Sequence, residues 1–181
     1  MIKEYEEKAI SDIEGTIIDI ETVGDFNNIY RDSRRYENII SVIFGYIDNE
    51  RLHIYCATGE SEIPQLKTLI KNILRKLKNP FYAFNIEFET CVFYHHIGIE
   101  KLFERELNLE KYEKKSNAIR ILKIPNYDDP FHDNGLLCKM AWENNEFDKA
   151  IAHNRACLLK ERDILLKRGF RIPDRLNLTN S

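Results

Sequence analysis

The chain has 181 residues, of which 43% are hydrophobic and 31% are charged, a balance that indicates a folded globular protein rather than a disordered segment. Its 27 basic and 30 acidic residues give a formal net charge of -3, which excludes a uniformly basic nucleic-acid coat protein. Any polyanionic partner must therefore be bound by local basic patches. We expect one domain over residues 1–181, with a loose tail from about residue 169.

The cysteines and the apolar runs bear on the cellular compartment. The four cysteines are far apart and form no Cys-x-x-Cys pair, so we expect free buried thiols rather than a zinc or disulfide framework. No apolar run approaches the roughly 18 residues that span a bilayer, and the N-terminus lacks the apolar core of a signal peptide. These features predict a cytoplasmic protein with no membrane partner.

The first predicted element is a buried strand over Gly15–Thr22, in which β-branched residues surround Asp19 and Glu21. Because strand side chains alternate, a spacing of two puts both carboxylates on one face. Burying two like charges together is costly unless a cation lies between them, and Mg²⁺ or Mn²⁺ suits an all-oxygen site. A strand at the sheet edge with one face in water would show the same alternation, so both interpretations stay open.

The next elements predict a mixed sheet. Strands over 38–47 and 51–57 are joined by a short turn, which favours an antiparallel hairpin. A helix over 61–78 follows, and a Pro ends it. A short strand over 81–84 then returns parallel to the sheet after this helical crossover.

The second half of the chain is predicted to be mainly helical. One helix continues from the last strand through about residue 97, and a short one covers 100–107. Residues 117–124 fit either a strand or a helix. Helices over 135–143 and 148–167 complete an α/β fold with a mixed sheet.

A second candidate position is Glu89, in the first turn of the helix that follows the strand over 81–84. Ligands of α/β sheets bind at the carboxyl ends of strands, so a carboxylate at this junction would face such a site. The alternative is that Asn85 caps the helix while Glu87 and Glu89 complement its dipole. The position alone favours this second interpretation.

A third candidate lies on the last helix, where His153, Cys157 and Glu161 are spaced four apart and form one stripe. A single His within an apolar helix is usually a structural residue. The stripe therefore indicates no function without the other two segments.

Taken together and in this order, the three segments resemble the DEDD exonucleases of the ribonuclease H-like superfamily. The motifs are Asp-x-Glu at Asp19 and Glu21, Asn-x-x-Phe-acid ending at Glu89, and His-Asn at His153 and Asn154. The similarity covers most of the chain and is greatest for predicted exonuclease-like domains whose last motif reads Tyr/His-Asn-x-x-Asp. It implies a ribonuclease H-like mixed sheet flanked by helices and a 3′–5′ exonuclease acting on DNA or RNA, with a single-stranded 3′ end as partner.

The same resemblance implies roles for the candidate residues. Asp19, Glu21 and Glu89 would ligate Mg²⁺ or Mn²⁺, with two ions expected and one possible, and would form the catalytic centre with His153. The histidine would orient or deprotonate the attacking water. This agrees with the physics of in-line displacement, because two cations stabilise both the attacking and the leaving oxygen.

Two departures from the family pattern bear on activity. Glu89 stands where the superfamily most often has Asp. Cys157 stands where the last aspartate is expected, and a thiol is a poor ligand for Mg²⁺. Glu161, one helical turn further on, or Asp163 would have to replace that acid. The alternative function is therefore a catalytically impaired ribonuclease H-fold protein that binds nucleic acid or a protein partner.

Substrate contacts are expected from basic and polar residues near the metal strand. The arginines in the loop that directly follows this strand are placed to bind phosphates, although a solvated loop would have the same composition. The residues expected to contact the substrate are Asn85, Thr22, Arg31, Arg34, Arg35 and Asn154.

Overall fold

A six-stranded mixed sheet flanked by helices forms the centre of the computed structural model, which describes residues 1–100, 102–111, 113–176 and 178. The strands are β1 (Ile2–Lys8), β2 (Thr16–Val23), β3 (Ile40–Ile47), β4 (Arg51–Ala57), β5 (Phe81–Ala83) and β6 (Arg105–Glu106). Their order across the sheet is β1-β4-β3-β2-β5-β6. The first four in this order pair antiparallel, whereas β2, β5 and β6 are parallel.

The strand that carries Asp19 and Glu21 lies inside the sheet. β2 pairs with β3 on one side and with β5 on the other, so the sheet-edge interpretation of this segment is wrong. Its β-branched residues explain this position, since Ile17 and Ile18 are fully buried on opposite faces of the sheet.

Helices cover both faces. They are α1 (Ile63–Leu74), α2 (Ile86–Val92), α3 (Lys115–Leu122), α4 (Gly135–Glu143) and α5 (Phe147–Arg168), and α2 continues into a π-helical turn over Phe93–Ile97. One core cluster joins the sheet to α4 and α5, and the other joins it to α1 and the π-helical turn. Because side chains alternate along β2, Asp19 and Glu21 share the α5 side with Ile17.

The helix α5 approaches β3 closely at Gly45, the residue that pairs with Asp19 across the sheet. A Cβ atom at Gly45 would lie 2.1 Å from Asn154 Oδ1 and 2.8 Å from Leu158 Cδ1. The absence of a side chain at this position lets α5 pack directly over the two acids of β2.

The predicted hairpin and the predicted helices over 135–143 and 148–167 are confirmed. The undecided segment over 117–124 is helical, as α3. The prediction of a helix over 100–107 is wrong for the described residues of this range. Residue 101 lies outside the described residues. The backbone over Arg105–Glu106 instead extends the sheet as β6, with the Leu107 N–H donating to the Ala83 carbonyl oxygen at 3.0 Å.

Segments near both ends of the chain pair with the sheet. The sequence does not predict the first strand, β1, because most of its residues are charged. The strand lies at the edge of the sheet, where its side chains are only partly buried. After α5, Arg171 forms a β-bridge to Glu106 and the ring of Phe170 packs edge-on against Tyr82. None of the helices in the described ranges is long and apolar enough to cross a bilayer.

Candidate metal centre

Four carboxylates from three separate elements converge beside β2. Asp19 and Glu21 come from β2, Glu89 from the first turn of α2, and Glu161 from the middle of α5. Asp19, Glu89 and Glu161 are only 6%, 5% and 1% exposed. We call these four residues the acidic cup.

The amide of Asn154 connects the two acids of β2. Its Nδ2 donates to Asp19 Oδ2 at 2.7 Å and lies 3.5 Å from Glu21 Oε1. Asn154, which was predicted to contact the substrate, is fully buried, and its amide contacts both acids of β2.

A lysine from a distant segment enters the acidic cup. Lys115 Nζ lies 2.5 Å from Glu161 Oε1 and 3.3 Å from Asp19 Oδ1. Burial lowers the pKa of Lys115, but the carboxylates of Asp19 and Glu161 oppose this and hold the pKa well above its usual value. The side chain is thus a fixed positive charge. Sequence reasoning missed it, because Lys115 lies in a highly charged segment with no signal that singles out one lysine.

Burial and mutual repulsion both act on the acids of the cup. Burial raises the pKa of Glu21 to about 7 and that of Glu161 to about 8, and the Asp19 carboxylate adds to both effects. The pKa of Glu89 is raised well above its usual value, first by burial and then by Asp19 and Glu161. Among the described residues, Glu89 Oε2 is buried without a hydrogen-bond partner. This donor set fits a hard divalent cation, which would relieve the repulsion and satisfy the free oxygen.

His153 is held between two carboxylates. Its Nδ1 lies 2.7 Å from Asp129 Oδ1 and its Nε2 lies 3.8 Å from Glu21 Oε1. Burial lowers the pKa of His153, but these carboxylates outweigh it and raise the pKa to about 11. Without a metal, the ring is therefore an imidazolium that donates hydrogen bonds and has no lone pair with which to accept a proton.

A second network fixes Asp129 itself. Lys160 Nζ, fully buried, lies 2.7 Å from Asp129 Oδ2 and 2.7 Å from Asp133 Oδ1. The backbone N–H groups of Phe131 and Asp133 each donate to the Asp129 carboxylate at 2.9 Å. Sequence reasoning did not identify Asp129 or Lys160, since neither the acid nor its lysine belongs to a recognised motif.

The two acids Glu161 and Asp163 of α5 lie in different environments. Glu161 reaches the acidic cup, whereas Asp163 accepts a hydrogen bond from Tyr127 at 2.5 Å and pairs with Arg162. Of the two predicted substitutes for the last aspartate, Glu161 is therefore the one at the site. Cys157 Sγ lies 3.8 Å from His153 Nε2, and burial raises the pKa of this thiol to about 11.

One cavity borders the acidic cup, and a second reaches Lys115 beside it. One of about 450 Å³ is lined by Glu21 and Thr22 together with Phe26 and Phe88. Another of about 380 Å³ is lined by Phe84, Asn85, Lys115 and Asp133. The predicted substrate contacts Thr22 and Asn85 thus line cavities that also reach residues of the site.

The three predicted phosphate-binding arginines differ in placement. Arg35 lines a cavity of about 230 Å³ together with Asn85 and stacks over the ring of Phe26 at 4.8 Å. Arg34 pairs with Asp32 at 2.7 Å, and Arg31 is exposed on the same loop. Arg35 therefore shares a cavity with the candidate residue Asn85.

Comparisons with protein-family models, with curated proteins and with solved structures gave no significant match.

Proposed function

We propose that this protein is a metal-dependent nuclease of the ribonuclease H-like superfamily, which removes nucleotides from a single-stranded 3′ end of DNA or RNA. The observation that supports this most is the acidic cup, since four carboxylates from three separate elements meet at one place. Buried clusters of acids are costly and mark sites that hold cations. The mixed sheet, the hairpin and the parallel return of β5 agree with the fold that the motifs imply.

The chain's own residues have distinct roles in this proposal. Asp19, Glu21, Glu89 and Glu161 would hold the ions, and Asn154 fixes the orientation of the first two. When bound, Mg²⁺ or Mn²⁺ would supply Lewis-acid activation of water and neutralise charge at the leaving oxygen.

The neighbouring positively charged side chains orient the acids and neutralise charge. His153 donates a hydrogen bond to Asp129 and faces Glu21. These contacts favour an orienting role for His153 over the role of a general base. Lys115 contributes a fixed positive charge beside Asp19 and borders the cavity with Asn85. A scissile phosphate in that cavity would meet this ammonium, and Arg35 would contact a neighbouring phosphate.

A catalytically impaired protein that binds nucleic acid or a protein partner is the second candidate. Two observations favour it: Lys115 already neutralises Asp19 and Glu161, and Cys157 replaces an oxygen ligand of the family pattern. In this case the cavities lined by Thr22 and Asn85 would bind a strand without cleaving it.

The two functions are distinguished by incubating 5′-labelled single-stranded DNA and RNA with the protein and Mn²⁺, with EDTA as the metal-free control. We expect shortening from the 3′ end that falls at least about 100-fold in Asp19→Asn, because loss of a metal ligand removes several kcal/mol of transition-state stabilisation. The matched control is Asp148→Asn, since Asp148 is 86% exposed at the start of α5. Tight binding without cleavage would support the second function, and neither binding nor cleavage would refute both.

A further inference from the structure

The donor atoms of Glu21, His153 and Cys157 face one another at the end of the acidic cup. The separations are 3.8 Å from Glu21 Oε1 to His153 Nε2 and 3.8 Å from His153 Nε2 to Cys157 Sγ, and all three atoms lie within 4.8 Å of one another. A tetrahedral Zn²⁺ with bonds of about 2.0–2.3 Å holds such atoms about 3.3–3.6 Å apart. Small side-chain movements would therefore bring the three donors to a common ion.

The histidine is already oriented as a metal ligand would be. Its Nδ1 is hydrogen-bonded to Asp129, so Nε2 is the nitrogen directed at Glu21 and Cys157. Metal-binding histidines almost always have a carboxylate or carbonyl at the other ring nitrogen, which fixes the ring. Asp129 is itself fixed by the fully buried Lys160, so this support does not depend on any metal.

The chemistry of the donors selects the class of ion. A thiolate and an imidazole suit zinc-class ions, whereas Mg²⁺ requires oxygen ligands and strict octahedral geometry. Three protein ligands with a fourth position open to water or substrate are also typical of catalytic rather than structural zinc sites. Glu21 borders the cavity of about 450 Å³, which gives an ion and a substrate a route to this position.

We infer that Glu21, His153 and Cys157 form a three-ligand site for one zinc-class ion, Zn²⁺ or Co²⁺. The ion would replace the proton on His153 Nε2 and that on the Cys157 thiol, so its binding releases protons. Its catalytic meaning rests on the proposed nuclease function, whereas its binding can be measured without cleavage. Cysteine spacing could not reveal this site, because it contains a single cysteine and its other ligands are a histidine and a carboxylate.

The test is titration of the metal-free protein with Co²⁺, monitored by absorption. We expect one equivalent to produce visible d–d bands and a near-ultraviolet thiolate-to-cobalt charge-transfer band, both displaced by stoichiometric Zn²⁺. Cys157→Ser should abolish the charge-transfer band. Cys56→Ser should retain it, because Cys56 is equally buried but lies on β4 with its Sγ directed to the Ala57 carbonyl.

Asp129→Asn tests the positioning role of the carboxylate behind the histidine. We expect it to keep the charge-transfer band but to weaken Co²⁺ binding by about 10–100-fold, the usual effect of altering such a partner. An unchanged affinity would show that Asp129 supports the fold only and would contradict the orientation step of this inference.

X-ray absorption of the zinc-loaded wild-type protein provides a test that needs no variant. One sulfur scatterer at about 2.3 Å supports the site, and a shell of oxygen and nitrogen alone overturns it. A charge-transfer band without any nuclease activity would support the zinc-class site and refute the nuclease proposal. Cleavage with Mn²⁺ in a protein that gives no such band would leave the nuclease proposal intact and refute the site.

Discussion

Lys115 adds a positive charge to the acidic cup. It contacts two buried carboxylates and comes from a helix that begins 96 residues after Asp19 in the sequence. Its ammonium lies where a cation is needed and reduces the repulsion among the acids. The number of divalent ions that the cup binds should therefore depend on whether this lysine is present.

Replacing Lys115 should leave the repulsion among the acids of the cup uncompensated. We expect Lys115→Met to lose about 3 kcal/mol of stability in the metal-free protein, since breaking a buried ion pair leaves an uncompensated charge. Urea unfolding with and without Mn²⁺ measures this, and Mn²⁺ should restore much of the loss. Lys149→Met is the control, because its pair with Glu146 is exposed and worth less than about 0.5 kcal/mol. A loss that Mn²⁺ does not reduce would contradict a cation-binding cup.

At the scale of single residues, the sequence reveals those that belong to short-range patterns. Asp19 and Glu21 follow strand alternation, and Glu161 follows helical spacing from Cys157. Lys115 and Asp129 could not be found in this way, because their roles depend on contacts across the fold. Asp129, for example, acts through a histidine 24 residues further along the chain.

At the scale of elements, the site is built by the packing of α5 on the sheet. Gly45 permits this approach, and the atoms nearest to it belong to Asn154 and Leu158. Any side chain at this position would push α5 away from β2 and separate Asn154 from Asp19.

Gly45→Ala should therefore affect both stability and metal binding. We expect a loss of about 1–3 kcal/mol, the usual cost of overpacking, together with weaker Mn²⁺ binding. Thermal unfolding and calorimetry measure the two effects. Gly135→Ala is the control, because a Cβ there meets no atom within 4 Å and alanine favours the helix α4. Equal behaviour of the two variants would show that the close packing at Gly45 does not position the site.

The π-helical turn after α2 contacts the start of β3 through a neutral histidine. The Ser41 N–H donates to His96 Nδ1 at 3.1 Å, and burial, assisted by the charge of Lys67, lowers the pKa of His96 to about 4. The folded state thus binds fewer protons than the unfolded state between pH 4 and the usual histidine value of about 6.5. This group's contribution to stability is complete above that window and is lost as the pH falls through it.

His96→Gln should flatten this pH dependence. We expect the wild type to lose about 1–3 kcal/mol more than the variant when the pH falls from 7 to 4, because only the wild type has an imidazole that binds a proton in the unfolded state and not in the folded state over this range. Urea unfolding at several pH values measures the difference, and His132→Gln, at an exposed position, is the control. Parallel stability curves for the wild type and His96→Gln would contradict this assignment.

Elements with strong periodicity were predictable, and those defined by pairing were not. The helix α1 carries a clear apolar stripe at Leu66, Ile70 and Leu74, whereas β6 has two residues whose strand conformation comes from the free edge of β5. The same reason applies to β1, whose charged sequence pairs along the whole of β4. Backbone hydrogen bonds to a neighbouring strand leave no pattern in the sequence that forms them.

At the scale of the whole molecule, the net charge is small, and charged side chains act through local groups such as the acidic cup. The net charge of -3 gives little long-range attraction for a nucleic acid, so the proposed nuclease function requires local contacts with the substrate, such as those we propose for Arg35 and for ions in the acidic cup. A ligand that binds only the folded state also stabilises it, so divalent ions should raise the unfolding temperature of the whole chain. Metal binding is thus the property that would connect the acidic cup with the proposed function.

The most direct measurement is a calorimetric titration of the metal-free protein with Mn²⁺, carried out on the wild type, Asp19→Asn and Asp148→Asn. A divalent-ion site in the acidic cup predicts saturable binding that falls at least tenfold in Asp19→Asn and is unchanged in Asp148→Asn, since only Asp19 is buried in the acidic cup. A wild type that binds no divalent ion, or one whose binding survives Asp19→Asn unchanged, would contradict it.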